Sequence, residues 1–402
     1  MARTQSRSTA TTAWRRQVAI AAACAFGGVL IHLAGPLVPV PLAAVGLGAG
    51  VLGASFMLAW AADAGEAVFS GGLVLAAVAL VGVLPEFVIE VHFAYVQQAE
   101  LVTANLTGAT RLLLTCAVGL PLLVTLQGRR TGRDEEPIEL AEPRRLELAV
   151  LLIAAVFAVQ VVVRGSLTVV DGVVLLTLYL LYARRVQGTP GEEPAVVGVA
   201  AGLMSLPPQY RRPAIAALLL TAAGVVLLIA NPFAHALLDT GTMLGMDPYL
   251  LIQSVVPAAT EAPELVVVAV LVVNRRPAQG LALLLAASVS QWTLGMGALP
   301  IAYLAGGGGV ALPLAGREQV ELGFTTALTF FVVAALASLR PARVDAVLIA
   351  VVFVIQLLYP TSFTRFAAGF VLLVFAIDLL VARRRELRPM FRSLRSSKNP
   401  SA

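Results

Sequence analysis

Polar positions are so sparse along this chain that run length, rather than periodicity, carries the structural signal. Apolar runs cover 17–35, 41–62, 68–97, 100–126, 146–163, 167–183, 213–238, 247–273, 277–304, 321–339, 343–359 and 362–382. At about 1.5 Å per residue, each reaches across most or all of roughly 30 Å of hydrocarbon. The pattern predicts an all-α polytopic membrane protein with about twelve transmembrane helices. The first run is long and lacks a small-x-small cleavage site, so it is expected to remain as an anchor helix rather than leave as a signal peptide.

Composition strengthens this reading. Of 402 residues, 59% are hydrophobic and only 13% charged, with a mean hydropathy of +0.88, which is far too apolar for a soluble fold. A pI near 9.6 could point to nucleic acid, but the arginines sit at the ends of apolar runs rather than along one strip. They are expected to set topology instead, with the bilayer as partner and no nucleic acid. Arg3, Arg7, Arg15 and Arg16, and later Arg144, Arg145, Arg184 and Arg185, then fall on one side. Arg164 and Arg317 are the main basic residues on the other. By the positive-inside rule this predicts an inner-membrane protein with both termini in the cytoplasm. Cys24 and Cys116 lie in apolar runs without metal or disulfide spacing and are expected to be packing residues.

The chain also repeats itself. Leu84-Pro85-Glu86 and Ala262-Pro263-Glu264 stand 178 residues apart, and at that offset Gly46 meets Gly224. At an offset of 174, Leu140-Ala141 meets Leu314-Ala315, Glu147 meets Glu321 and Asp171 meets Asp345. Two five-helix repeats follow, at 41–185 and 213–360. Residues 1–40 form an N-terminal segment with an extra helix, 186–212 a cytoplasmic linker, and 361–402 a second extra helix with a basic tail. Because the first repeat starts outside and the second inside, the copies are expected to be inverted, an architecture of alternating-access transporters.

A carboxylate in mid-membrane costs roughly 3 kcal/mol to insert, so Glu86 and Glu264 are expected to line a polar path. Pro85 and Pro263 leave the carbonyls of Val81 and Ala259 without helical partners, and Pro257 does the same for Gln253. Bare carbonyls beside anionic oxygens suit a hard cation. Glu261, three residues before Glu264, either adds a third carboxylate or hydrogen-bonds the backbone freed at the helix break. Clustered carboxylates hold protons tightly, which makes proton-coupled exchange attractive.

These stretches resemble the two repeat motifs of the calcium:cation antiporter superfamily, the sodium/calcium and proton/calcium exchangers, whose pattern reads roughly G-T-S-x-P-E. The partner motif, roughly G-N-x-x-G-S-N-x-x-N/D, is matched by Ala104-Asn105-Leu106-Thr107-Gly108-Ala109-Thr110 and by Ala286-Ala287-Ser288-Val289-Ser290-Gln291. The resemblance implies a sodium/calcium exchanger-like fold over about 41–360 and a secondary antiporter in which Glu86 and Glu264 are the essential ligands. Thr260, Glu261 and Gln291 complete the implied metal set. The family's hydroxyl positions fall on Gly82 and Val83, its serines on Ala109 and Ala287, and one Asn/Asp position on Leu113. It implies no cofactor: Ca²⁺, Na⁺ or H⁺ is cargo. Ca²⁺ export against H⁺ or Na⁺ is the expected exchange. A sodium/proton antiporter and a degenerate scaffold or sensor are the alternatives.

Asn105, Ser288, Glu90 and Arg111 are further candidates for an ion path or proton carrier. Glu90 shares a helix face with Glu86, while its repeat mate is Val268. Arg111 either pairs with Glu90 or replaces a bound cation. His92 is either a proton shuttle or an interfacial residue. Asp171, Asp345, Glu147 and Glu321 are expected to cap helices, and Gly306–Gly309 to form a flexible outer loop. The chain contains no G-x-x-x-x-G-K-[ST], H-E-x-x-H or G-x-S-x-G, so nothing points to an enzyme.

Overall fold

The computed structural model describes residues 2–68, 83–132, 138–187 and 196–394. Its helices, in chain order, are α1 (Ala2–Ala34), α2 (Val40–Val68), α3 (Leu84–Tyr95), α4 (Ala99–Thr131), α5 (Arg145–Arg164), α6 (Val169–Gln187), α7 (Gly198–Met204) and α8 (Pro208–Met243). They continue as α9 (Pro248–Thr260), α10 (Ala262–Val273), α11 (Pro277–Ser290), α12 (Met296–Ala305), α13 (Arg317–Leu336), α14 (Arg343–Leu358), α15 (Ser362–Ala382) and α16 (Arg384–Ser393). Two short strands, β1 (Ser166–Thr168) and β2 (Ala311–Pro313), pair antiparallel.

This is an integral membrane protein. Among the described residues, eight helices are long and apolar enough to span, or nine when the bent pair α9–α10 counts as one. The described residues thus do not confirm the expected count of about twelve spans. The run 247–273 is broken at Glu261 by a 52° bend, α14 is only 16 residues long, and α3 has 12 described residues. Residues 69–82, which include Val81 and Gly82, lie outside the described residues.

Contacts divide the chain into two units, each drawing on both sequence repeats: 1–89 with 191–270, and 90–190 with 271–402. In the first unit, α1, α2 and α8 pack closely because small residues let their backbones approach. A β-carbon on Gly53 would lie 2.4 Å from the carbonyl oxygen of Ala21, and one on Gly50 would lie 2.8 Å from the Cα of Gly28. Gly48 faces Phe233 and Gly50 faces Ile229, so the repeat mates α2 and α8 run antiparallel. Farther along, Ala61, Ala64, Val199, Leu203 and Ile215 form a buried core edged by Trp14. We expect Gly53→Ala to destabilise the protein by about 1–3 kcal/mol, because the backbone it meets cannot move aside. Gly224→Ala, which meets nothing within 4 Å, should leave thermal unfolding in detergent unchanged or slightly improved.

In the second unit the repeat mates α5 and α13 are antiparallel neighbours joined at both ends by main-chain bonds. Leu140 N donates to Leu339 O, and Leu314 N donates to Gly165 O, each at 2.9 Å. Both partners belong to one 174-residue offset, so the two bonds are related by the internal symmetry. Gly165 (φ 71°) caps α5 in the left-handed region, and its repeat mate Leu339 (φ 61°), three residues past the end of α13, adopts the same conformation. The other offset shows the same match. Gln97 (φ 66°) and Arg275 (φ 61°) terminate α3 and α10, with Gln98 N→Phe93 O and Arg276 N→Leu271 O at 2.8 Å. The inversion expected from sequence is thus visible inside each unit.

Asp171 does cap α6, accepting from Thr168 N at 2.7 Å. Glu147 instead binds the guanidinium of Arg144 at 2.9 Å, and Asp345 faces Arg383 at 3.7 Å. In the Gly306–Gly309 run, Gly306 and Gly308 are close-packed, a β-carbon on Gly306 lying 1.8 Å from Tyr95 O, whereas Gly307 and Gly309 meet nothing within 4 Å. Gln97 Nε2 also donates to Tyr303 O at 2.7 Å.

Candidate cation site

Both Pro-Glu pairs open a helix. Leu84 and Ala262 are the first residues of α3 and α10, proline is second and glutamate third. Proline is at ease in a first turn, where its missing N–H had no partner to lose, and a carboxylate there meets the positive end of the helix dipole. The break before α10 is made by Glu261, whose N–H still bonds Pro257 O at 2.9 Å while its carbonyl accepts from Leu265 N at 3.1 Å. Thr260, buried beside it, turns its hydroxyl back to Val256 O at 3.1 Å. Pro257 sits within α9 without breaking it.

In the first unit the structure brings three predicted carboxyls together. Glu86 and Glu261 are both buried, and their side chains interact. Glu264 lies within electrostatic reach of Glu261 and of Asp63 of α2, a fourth carboxyl. Asp63 was not singled out from sequence. The available signal was an acid at the end of the apolar run 41–62. Among the described residues, no three His, Cys, Asp or Glu side chains are arranged as a ready metal centre.

The second unit gathers a separate polar group. Glu90 is fully buried, and its Oε1 accepts from Gln291 Nε2 at 2.8 Å and from Asn105 Nδ2 at 3.3 Å. Gln291 opens a π-helical turn, Gln291–Gly295, that interrupts α11 and α12. Such turns re-aim side chains and recur at functional sites. A β-carbon on Gly295 would come within 3.2 Å of Gln291 Oε1 and 3.4 Å of Glu90 Oε2, so glycine leaves room for the amide and the carboxylate to meet. Ser288 is fully buried but bonds Leu284 O of its own helix at 2.7 Å. Ala109 is likewise buried and offers no oxygen from its side chain.

Arg111 finds a carboxylate partner on α13. It forms an ion pair with Glu321, and its Nε donates to Thr325 Oγ1 at 2.9 Å. Phe324 lies under the guanidinium, 4.9 Å from ring centroid to Cζ. Glu321 also receives Arg365 of α15, and Arg317 approaches at 4.0 Å. Glu321 is therefore a buried hub rather than a cap. Arg365 was overlooked because it lies near the start of its apolar run, where a basic residue passes for an interfacial anchor.

The sequence matches the family described as sodium/calcium exchanger protein over residues 38–186. Along nearly its whole length the chain resembles the crystal structure of the H+/Ca2+ exchanger CAX, at 30% identity and a TM-score of 0.87, covering 96% of this chain and 98% of that one. Two more distant structures show the fold alone. Native YfkE matches at 14% identity and a TM-score of 0.56, covering 92% of this chain and 98% of that one. The sodium-calcium exchanger NCX_Mj matches at 17% and 0.51, covering 85% and 99%. No curated protein sequence matches.

Proposed function

The chain belongs to the calcium:cation antiporter superfamily, and on that premise we propose that it exports Ca²⁺ from the cytoplasm in exchange for protons. The observation that carries this reading is the gathering of the buried Glu86 and Glu261 carboxyls with Glu264 in one unit. Any proton held by these acids must leave before their oxygens can turn to a cation. Proton and Ca²⁺ therefore compete for one set of acids. An emptied cluster of like charges is costly in low dielectric, which couples reorientation to occupancy by one ion or the other. Glu86, Glu261 and Glu264 act as the carboxylate ligands, with Thr260 as a neutral oxygen donor. Glu90, held by Asn105 and Gln291, serves as a proton carrier.

In this reading the protein sits in the cell membrane with both termini in the cytoplasm. Repeats at 41–185 and 213–360 are joined by the 186–212 linker. The apolar side chains at Val83, Ala109 and Ala287 remove oxygens that Ca²⁺, with its usual six to eight ligands, would use. They favour the second reading, a sodium/proton antiporter.

Flux in proteoliposomes separates the two. An imposed pH gradient is expected to drive Ca²⁺ accumulation without Na⁺, and apparent Ca²⁺ affinity should rise with pH as the competing proton is withdrawn. Proton-driven Na⁺ movement with no Ca²⁺ flux would establish the alternative.

A further inference from the structure

We infer that α16 is a docking surface for anionic phospholipid headgroups, a role independent of the cation site. The helix begins one residue beyond α15. That helix is 21 residues long and turns Phe363, Phe366 and Phe370 outward at 63% exposure or more, as a lipid-facing span does. One side of α16 is fixed to the second unit. Met390 is fully buried, Glu386 binds Arg145 at 3.0 Å, and Arg185 Nη1 reaches Ser393 O at 3.2 Å. Arg145 begins α5 and Arg185 lies near the end of α6, so α16 runs across neighbouring helix ends, along the plane where those helices leave the membrane.

Its other side carries Arg384, Arg385, Arg388 and Arg392, all exposed. At 3.6 residues per turn they fall within an arc of about 100°. Phe391, 44% exposed, borders that arc. None of the four has an ion-pair partner among the described residues, whereas Arg144, Arg145 and Arg383 all do. An unpaired basic arc with an aromatic edge, held level with a bilayer surface, is complementary to lipid phosphates and the acyl chains beneath them.

The full-length protein would be reconstituted in phosphatidylcholine with graded fractions of phosphatidylglycerol, and its thermal unfolding followed alongside Ca²⁺ flux. Wild type is expected to gain stability with phosphatidylglycerol. The quadruple variant R384Q/R385Q/R388Q/R392Q should need roughly tenfold more anionic lipid for the same gain, or lose it. It should match wild type in pure phosphatidylcholine, which verifies its fold, and the four corresponding Arg→Lys changes should restore the response. Equal responses of wild type and the glutamine variant would overturn the proposal. So would an equal gain from inorganic phosphate added to protein in phosphatidylcholine, which would reassign the surface to a soluble anion.

Discussion

Glu264→Gln is expected to abolish Ca²⁺ flux while leaving the fold intact. Removing one member of a buried, charged ligand set costs about 2–5 kcal/mol of binding, which corresponds to roughly a thirtyfold or greater loss of affinity. Stability should move the other way. Glu264 stands near the acids Glu261 and Asp63, and a neutral amide of the same shape relieves that crowding. The variant should therefore unfold at the wild-type temperature or above it. Glu86→Gln makes a sharper companion. Its amide keeps the shape of the acid beside Glu261 but cannot take up or release a proton. It should be as stable as wild type and inactive at every pH, whereas a merely structural glutamate would leave flux in place. The measurements are ⁴⁵Ca uptake and thermal unfolding on the same preparations.

Glu321→Ala should be the most destabilising single change, by about 3–5 kcal/mol, because it strips the carboxylate from buried cations. Arg111 and Arg365 are 4% and 2% exposed at the side chain, and both converge on Glu321. Arg317→Ala should cost far less, since that side chain is 28% exposed and 4.0 Å away. The triple change Glu321→Gln, Arg111→Gln, Arg365→Met removes all three charges together. It should recover much of the stability, as replacing a complete buried ion cluster is often neutral. Thermal unfolding in detergent reads all four proteins. If Glu321→Ala unfolds with wild type, the hub carries no weight.

The parts of this molecule readable in advance were those where chemistry is local in sequence. The Pro-Glu pairs marked interruptions within apolar runs, which the structure turns into helix starts, and the spacing of Glu261 and Glu264 placed two acids near one another. The run lengths gave the helices, although not how many cross the membrane, because length alone does not reveal a bend such as that at Glu261. Long-range partners were not legible. Nothing near Arg111 in the chain points to Glu321, 210 residues away, and helical spacing offered Glu90 instead. Left-handed helix ends were legible only where glycine marks them. Gly165 could be anticipated, whereas Gln97, Arg275 and Leu339 adopt the same geometry with side chains that give no warning.

The two main-chain clasps at the ends of α5 and α13 constrain how such a duplicated molecule can change. Peptide groups are common to every residue, so the bonds from Leu140 and Leu314 survive almost any side-chain replacement. They do not survive a change in segment length, because lengthening one partner by a residue would pull its terminal N–H out of register with a carbonyl at the far end of the other. The copies are thus free to diverge in identity while being held to a shared count. This is the pattern of the 174-residue spacing, which persists from Leu140 to Asp345 through stretches where little else still matches.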